Sequence, residues 1–126
     1  MAKKNSSILG RYRITEMPDF GEEYLDEEAP AFIRFEVGGG GEFHFGYVQG
    51  IMDLRTTQRD GKPAIEWSWE GNDGDHVLMG HGRAVLEEDG MLSGIVFVHE
   101  GDEYSFRAKK WAGGNAKKKP KGRSNR

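Results

Sequence analysis

From Leu9 onward the chain repeats one pattern: a short run of alternating apolar and polar residues, then a break rich in glycine, about every ten residues. That rhythm is too short for helices and matches strands joined by tight turns. The runs are Leu9–Met17, Ala31–Val37, Glu42–Val48, Ile51–Gln58, Ala64–Glu70, Val77–Glu87, Met91–Glu100 and Glu103–Lys109. Between them lie Gly38 to Gly41, Asp60-Gly61-Lys62-Pro63, Gly71 to Asp75, Glu88-Asp89-Gly90 and Gly101-Asp102, all built from residues that accept hairpin-turn backbone angles. Links this short join antiparallel neighbours. Eight such strands in series are most simply closed into an up-and-down barrel, which removes the free edges that invite aggregation. A two-sheet sandwich is the alternative. The exception is Pro18–Pro30, where Glu22 to Glu28 lack strand alternation and suit one or two helical turns, a lid over one end of the barrel.

Alternation also assigns faces. Ile33, Phe35 and Val37 share one side of their strand, as do Phe43, Phe45 and Tyr47, and Ile65, Trp67 and Trp69; these sides are expected to form the interior. Arg34 and Glu36, His44 and Gly46, and Glu66, Ser68 and Glu70 then face water. Gly80 and Gly82 strip one face of the longest strand of bulk, as at a sharp bend or a close approach by another backbone. In Met91–Glu100 both sides are apolar, so its outer side needs a cover: the acidic segment, the N-terminus or Trp111. The run beginning at Ile51 is ambiguous, because a one-residue slip exchanges Met52 and Leu54 for Ile51, Asp53 and Arg55 as its inward set.

Charge divides the chain. Of 18 basic residues eight lie in 108–126, which has no acidic residue, whereas residues 1–107 carry ten basic and all 21 acidic side chains, a net charge of −11. The expected organisation is residues 1–8 without fixed structure, a barrel over 9–112 and a basic unstructured tail over 113–126. Lys117, Lys118, Lys119, Lys121, Arg123 and Arg126 make that tail a candidate for weak contact with nucleic-acid phosphate or the ribosome, although the acidic body opposes a polyanion. There is no cysteine, hence no disulfide framework and no thiolate chemistry. The first residues lack the apolar run of a signal peptide, and no stretch approaches the roughly 20 apolar residues of a membrane span, so a soluble, cytoplasmic protein is expected.

No motif names a reaction. Gly71-Asn72-Asp73-Gly74-Asp75 resembles one calcium-binding β-roll repeat, but such sites need stacked copies; it reads as a hairpin loop. Gly38 to Gly41 has neither the helix nor the Lys-Ser/Thr of a phosphate loop, and no nucleophile elbow is present. His44, His76, His81 and His99 are not spaced as a zinc pair, and no cofactor is expected. Glu66 and Glu70, four residues apart on one strand, would stand about 13 Å apart, too wide for paired-carboxylate glycoside chemistry.

The opening Gly10-Arg11-Tyr12-Arg13-Ile14, followed by a helical interruption and seven hairpin-linked strands, resembles the calycin superfamily of lipocalins and fatty-acid-binding proteins. That resemblance implies a barrel holding a small apolar or amphipathic molecule. Gly50 to Arg55, Arg59 to Pro63 and Trp67 to Gly71 are also similar to small bacterial proteins of uncharacterised function.

The expected pocket opens at one end of the barrel, with Phe45, Tyr47, Trp67 and Trp69 as apolar wall and Asp53, Arg55, His81 and Arg83 as its polar group. The first reading is therefore a non-enzymatic ligand-binding or structural barrel of unknown oligomeric state; the second is a nucleic-acid-associated accessory protein using its tail. An enzyme built on the four charged and imidazole groups comes third. The competing arrangement is a fully packed interior with those charges paired on the outer wall.

Overall fold

The computed structural model describes residues 7–111. The six basic tail residues named above lie outside them. Strands β1 (Gly10–Glu16), β2 (Phe32–Phe35), β3 (Gly40–Phe45), β4 (Val48–Arg59), β5 (Lys62–Asp73), β6 (His76–Leu86), β7 (Met91–Val98) and β8 (Glu103–Lys110) are joined by one helical turn, α1 (Glu22–Leu25), between β1 and β2. Each strand pairs antiparallel with the next, and β8 pairs with β1, so the sheet is a closed eight-stranded up-and-down barrel. Among the described residues no strand is left with a free edge.

The interior is filled by a large-against-small rule written across the strand register. Phe43 is paired with Gly50, Trp67 with Gly82, Trp69 with Gly80 and Phe106 with Gly94. A Cβ on Gly50 would stand 2.5 Å from Phe43 Cζ, and one on Gly94 would stand 2.7 Å from Phe106 Cζ, so each ring lies in space that a side chain would claim. The bare face of β6 thus serves two ends: at Gly82 it seats the Trp67 indole, and at Gly80 it admits the Phe97 backbone of β7, the close approach expected there, beside the Trp69 indole. Through it, Trp69 reaches beneath Gly80 and its Nε1 donates to the Phe97 carbonyl on β7 at 3.1 Å. Trp67 Nε1 is buried with no hydrogen-bond partner among the described residues. Tyr12, Ile33, Phe35, Phe45, Ile65 and Leu92 complete a core with almost no exposed surface.

Two face assignments need correction. Tyr47 is 42% exposed and Val37 87% exposed. Both lie past the end of their strands, in turns where Gly46 (φ 58°), Gly38 and Gly39 take positive φ and the period of two stops. On the outer side of β7 the contacts at Phe97 come from β6: the His81 ring stacks on Phe97 at 4.6 Å, and the Arg83 guanidinium lies 5.4 Å from the same ring. Trp111 instead lies beneath the guanidinium groups of Arg11 and Arg13, at 5.3 and 5.8 Å.

Both ends of the barrel are closed. At the lower end Ile8 is buried, and its carbonyl accepts a 2.8 Å bond from Tyr12 Oη, so fixed packing begins inside the stretch 1–8 expected to have none. Burial pushes the Tyr12 phenol up to about 12 and holds it neutral. At the upper end lies the segment between β1 and β2.

Candidate functional site

That segment is the acidic lid anticipated from the sequence, and four devices hold it. Arg13 on β1 forms a two-pronged pair with Asp26, Nη1 to Oδ1 at 2.8 Å and Nη2 to Oδ2 at 2.7 Å, while Asp26 Oδ1 also accepts the Ala31 amide at 2.9 Å. The Arg13 bond, aided by the Ala31 amide and working against some desolvation, lowers the Asp26 pKa. The Gly46 amide donates to the Leu25 carbonyl at 2.9 Å. The Tyr24 ring packs against Gly46, where a Cβ would stand 2.7 Å from its Oη. Hydrophobic anchoring comes from Leu25, fully buried in the core.

Beneath the lid is a cavity of about 230 Å³ in the barrel mouth. Phe45, Trp69 and Val96 form its floor, Val48, Leu78 and Val98 its sides, and Phe20 and Tyr24 its roof. Phe20 sits at the centre of an aromatic cluster, 4.9 Å from Tyr24, 4.9 Å from Tyr104 and 5.9 Å from Phe45. The polar groups at the rim are Asp73, Asp102 and Tyr104. Tyr104 Oη donates to Asp102 Oδ2 at 3.2 Å; desolvation, together with the Asp102 charge, raises the phenol's pKa and keeps it a donor. Neither Asp73 nor Asp102 forms an ion pair with another described residue. The rim therefore offers uncompensated negative charge above an aromatic cup.

The residues expected to build one pocket are divided by the barrel wall. Phe45 and Trp69 line the mouth, and Trp67 is packed in the core below them. Tyr47 stands outside, its ring centroid 6.0 Å from that of Tyr24. On β4, Met52 and Leu54 are buried, which turns Asp53 and Arg55 outward, and His81 and Arg83 are outward on β6. Arg55, Glu66 and Arg83 occupy one cross-strand row without an ion pair among them, and with Asp53 and His81 they line a separate groove of about 430 Å³ on the outer wall. The lid residues Phe20 and Tyr24 and the rim residues Asp73, Asp102 and Tyr104 escaped the sequence reading. Their signal was the apolar Phe20, Tyr24 and Leu25 at near-helical spacing inside an acidic stretch.

Among the described residues, no three His, Asp or Glu side chains converge to hold a metal ion, and no helix is long and apolar enough to cross a membrane. Compared with known proteins, the chain matches no family model, no curated protein and no solved structure, so the site is read from its own geometry.

Proposed function

We propose that this protein is a non-enzymatic binding barrel whose lidded mouth holds a small amphipathic molecule with an apolar body and a cationic head. The observation that carries the reading is the cavity under Phe20 and Tyr24: aromatic floor and roof, with two carboxylates unpaired among the described residues at the rim. Binding sites for small molecules combine an apolar lining with a few placed polar groups, and here those groups select for positive charge. A volume of about 230 Å³ accommodates on the order of ten non-hydrogen atoms. A barrel that binds a small amphipathic molecule is also what the resemblance to calycins implies. The filled core below the floor limits the ligand to the mouth, so a long acyl chain running down the barrel axis does not fit without repacking Phe43, Trp67 and Phe106.

The test is intrinsic tryptophan fluorescence in a Trp67→Phe background, which keeps Trp69 at the cavity floor as reporter. Hexylamine, hexanol and hexanoate share one chain and differ in head charge. Saturable binding in the order amine, alcohol, carboxylate, with Asp102→Asn weakening only the amine, is the expected result. No saturable response to any of the three, or a carboxylate that binds as well as the amine, refutes the reading.

A further inference from the structure

On the outside of the barrel, beside the mouth and meeting its rim at Gly101 and Asp102, the rule that turns apolar side chains inward is broken at one corner. Ile51 on β4 and Met79 on β6 flank Glu70 in a single cross-strand row and are 70% and 51% exposed; Val77, on the same side of β6, is 80% exposed. The row below carries Asp53, Ser68, His81 and Phe97, where the His81 and Phe97 rings stack on each other across the strand pair. The β7–β8 turn rises as a side wall, tied to β6 by the His99 amide donating to the Met79 carbonyl at 2.7 Å. Together these enclose a groove of about 640 Å³.

Its charge is one-sided. Asp53, Glu70, Glu100, Asp102 and Glu103 line it, no Lys or Arg does, and none of the five forms an ion pair among the described residues. Arg55 and Arg83 appear only in the next row, at its lower boundary. Exposed apolar side chains gathered beside unpaired charge of one sign mark a recognition surface rather than ordinary outer wall.

We propose that this groove docks an extended peptide segment of a partner protein in which Lys or Arg alternates with Val, Ile, Leu or Met. Because the barrel is closed, no strand can be added to an edge, so the partner is recognised by side chains lying across the face. In an extended segment successive side chains point to opposite sides, and next-but-one residues repeat at about 7 Å. Apolar residues of the segment then sit on Ile51, Met79 and Phe97 while the intervening cations reach the acidic walls. Nucleic acid and anionic membrane are repelled by the same five carboxylates. A second copy set face to face would oppose acid to acid. Residues 112–126 have lysines but, Pro120 apart, no apolar residue larger than Ala, and no Val, Ile, Leu or Met to fill the apolar positions.

The test is amide NMR of the full chain titrated with a short synthetic peptide alternating Lys and Val, and with its Glu and Val counterpart. Saturable shifts centred on Ile51, Glu70, Met79 and His81 with the basic peptide alone are expected. Glu70→Lys, and separately the double change Ile51→Ser with Met79→Ser, should each weaken binding about tenfold with far-UV circular dichroism unchanged, whereas Glu88→Lys at the opposite end should not. The Ile51, Glu70 and Met79 side chains lie outside the mouth cavity, so this result stands or falls apart from hexylamine binding. The proposal is overturned if neither peptide saturates, if the acidic peptide binds as well, or if the shifts fall on Tyr24 and Tyr104. It is equally overturned if Lys117→Gln, Lys118→Gln and Lys119→Gln together move the Ile51 and Met79 resonances without peptide, which makes the tail the occupant. A concentration-dependent mass abolished by the Ile51 and Met79 double change would make a second copy the occupant, with the same consequence.

Discussion

Replacing Gly82 by alanine adds one methyl group to the barrel interior, and the sign of its effect tests the packing rule directly. Without a neighbour, alanine in a strand is favoured over glycine by roughly 0.5–1 kcal/mol, because glycine loses more backbone freedom on folding. Here the new Cβ would stand 2.5 Å from Trp67 Cζ2 and 2.6 Å from Trp67 Nε1, and it also meets Cε2. Ordinary carbon contacts begin near 3.5 Å, so the indole or the strand must yield by about 1 Å. Trp67 is 4% exposed and tilted against Phe35 at 5.6 Å between centroids, which leaves it little room to retreat. Overpacking of that kind costs about 1–3 kcal/mol, and subtracting the backbone gain leaves a net loss of about 1–2 kcal/mol. Urea denaturation measures it, and the melting temperature should fall by roughly 4 °C per kcal/mol at this domain size. Trp67→Leu removes the obstructing ring, itself costing about 2–4 kcal/mol. In that background Gly82→Ala should become neutral or stabilising, a coupling of about 2 kcal/mol. If Gly82→Ala stabilises the unaltered protein, or costs the same in both backgrounds, glycine is not making room for the indole and the account of the core fails.

Two further outcomes concern pH. The folded pKa of Asp26 is lowered, so its stabilisation is complete above the unfolded carboxylate value near 4 and is lost as pH falls through the folded value. Asp26→Asn should flatten that acid limb and loosen the lid, seen as faster amide exchange at Leu25 and Gly46; an unchanged acid limb would refute the anchoring role of Arg13. The raised pKa of Tyr12 works in the other direction: its contribution is full below about pH 10 and is lost as pH rises toward about 12. Ultraviolet titration should show the last of the four tyrosines ionising together with unfolding, and Tyr12→Phe should remove that final step.

The strand runs, the turns between them and the lid's position were legible in the sequence because each rests on a local signal. Period-two alternation assigns Phe43, Phe45, Trp67 and Trp69 to one side of their strands without reference to any other part of the chain. Glycine-rich breaks mark turns in the same local way, and the assignment fails at Val37 and Tyr47 because a turn ends the alternation before the eye does. Tertiary structure decided everything that depends on register. Whether Asp53 faced in or out hung on a slip of one residue, settled when Met52 came to lie beside Trp69 in the closed sheet. Gly80 and Gly82 could be seen to lack bulk, yet nothing within β6 said that the Trp67 indole would fill the space at Gly82 and the Phe97 backbone and Trp69 indole the space at Gly80. The mouth depends on the same long-range pairing: Phe20, Trp69 and Tyr104 lie far apart in the chain and meet only when β8 closes on β1 and Arg13 fixes Asp26. Alternation is a property of a few consecutive residues, whereas a cavity is a property of the elements that closure brings together.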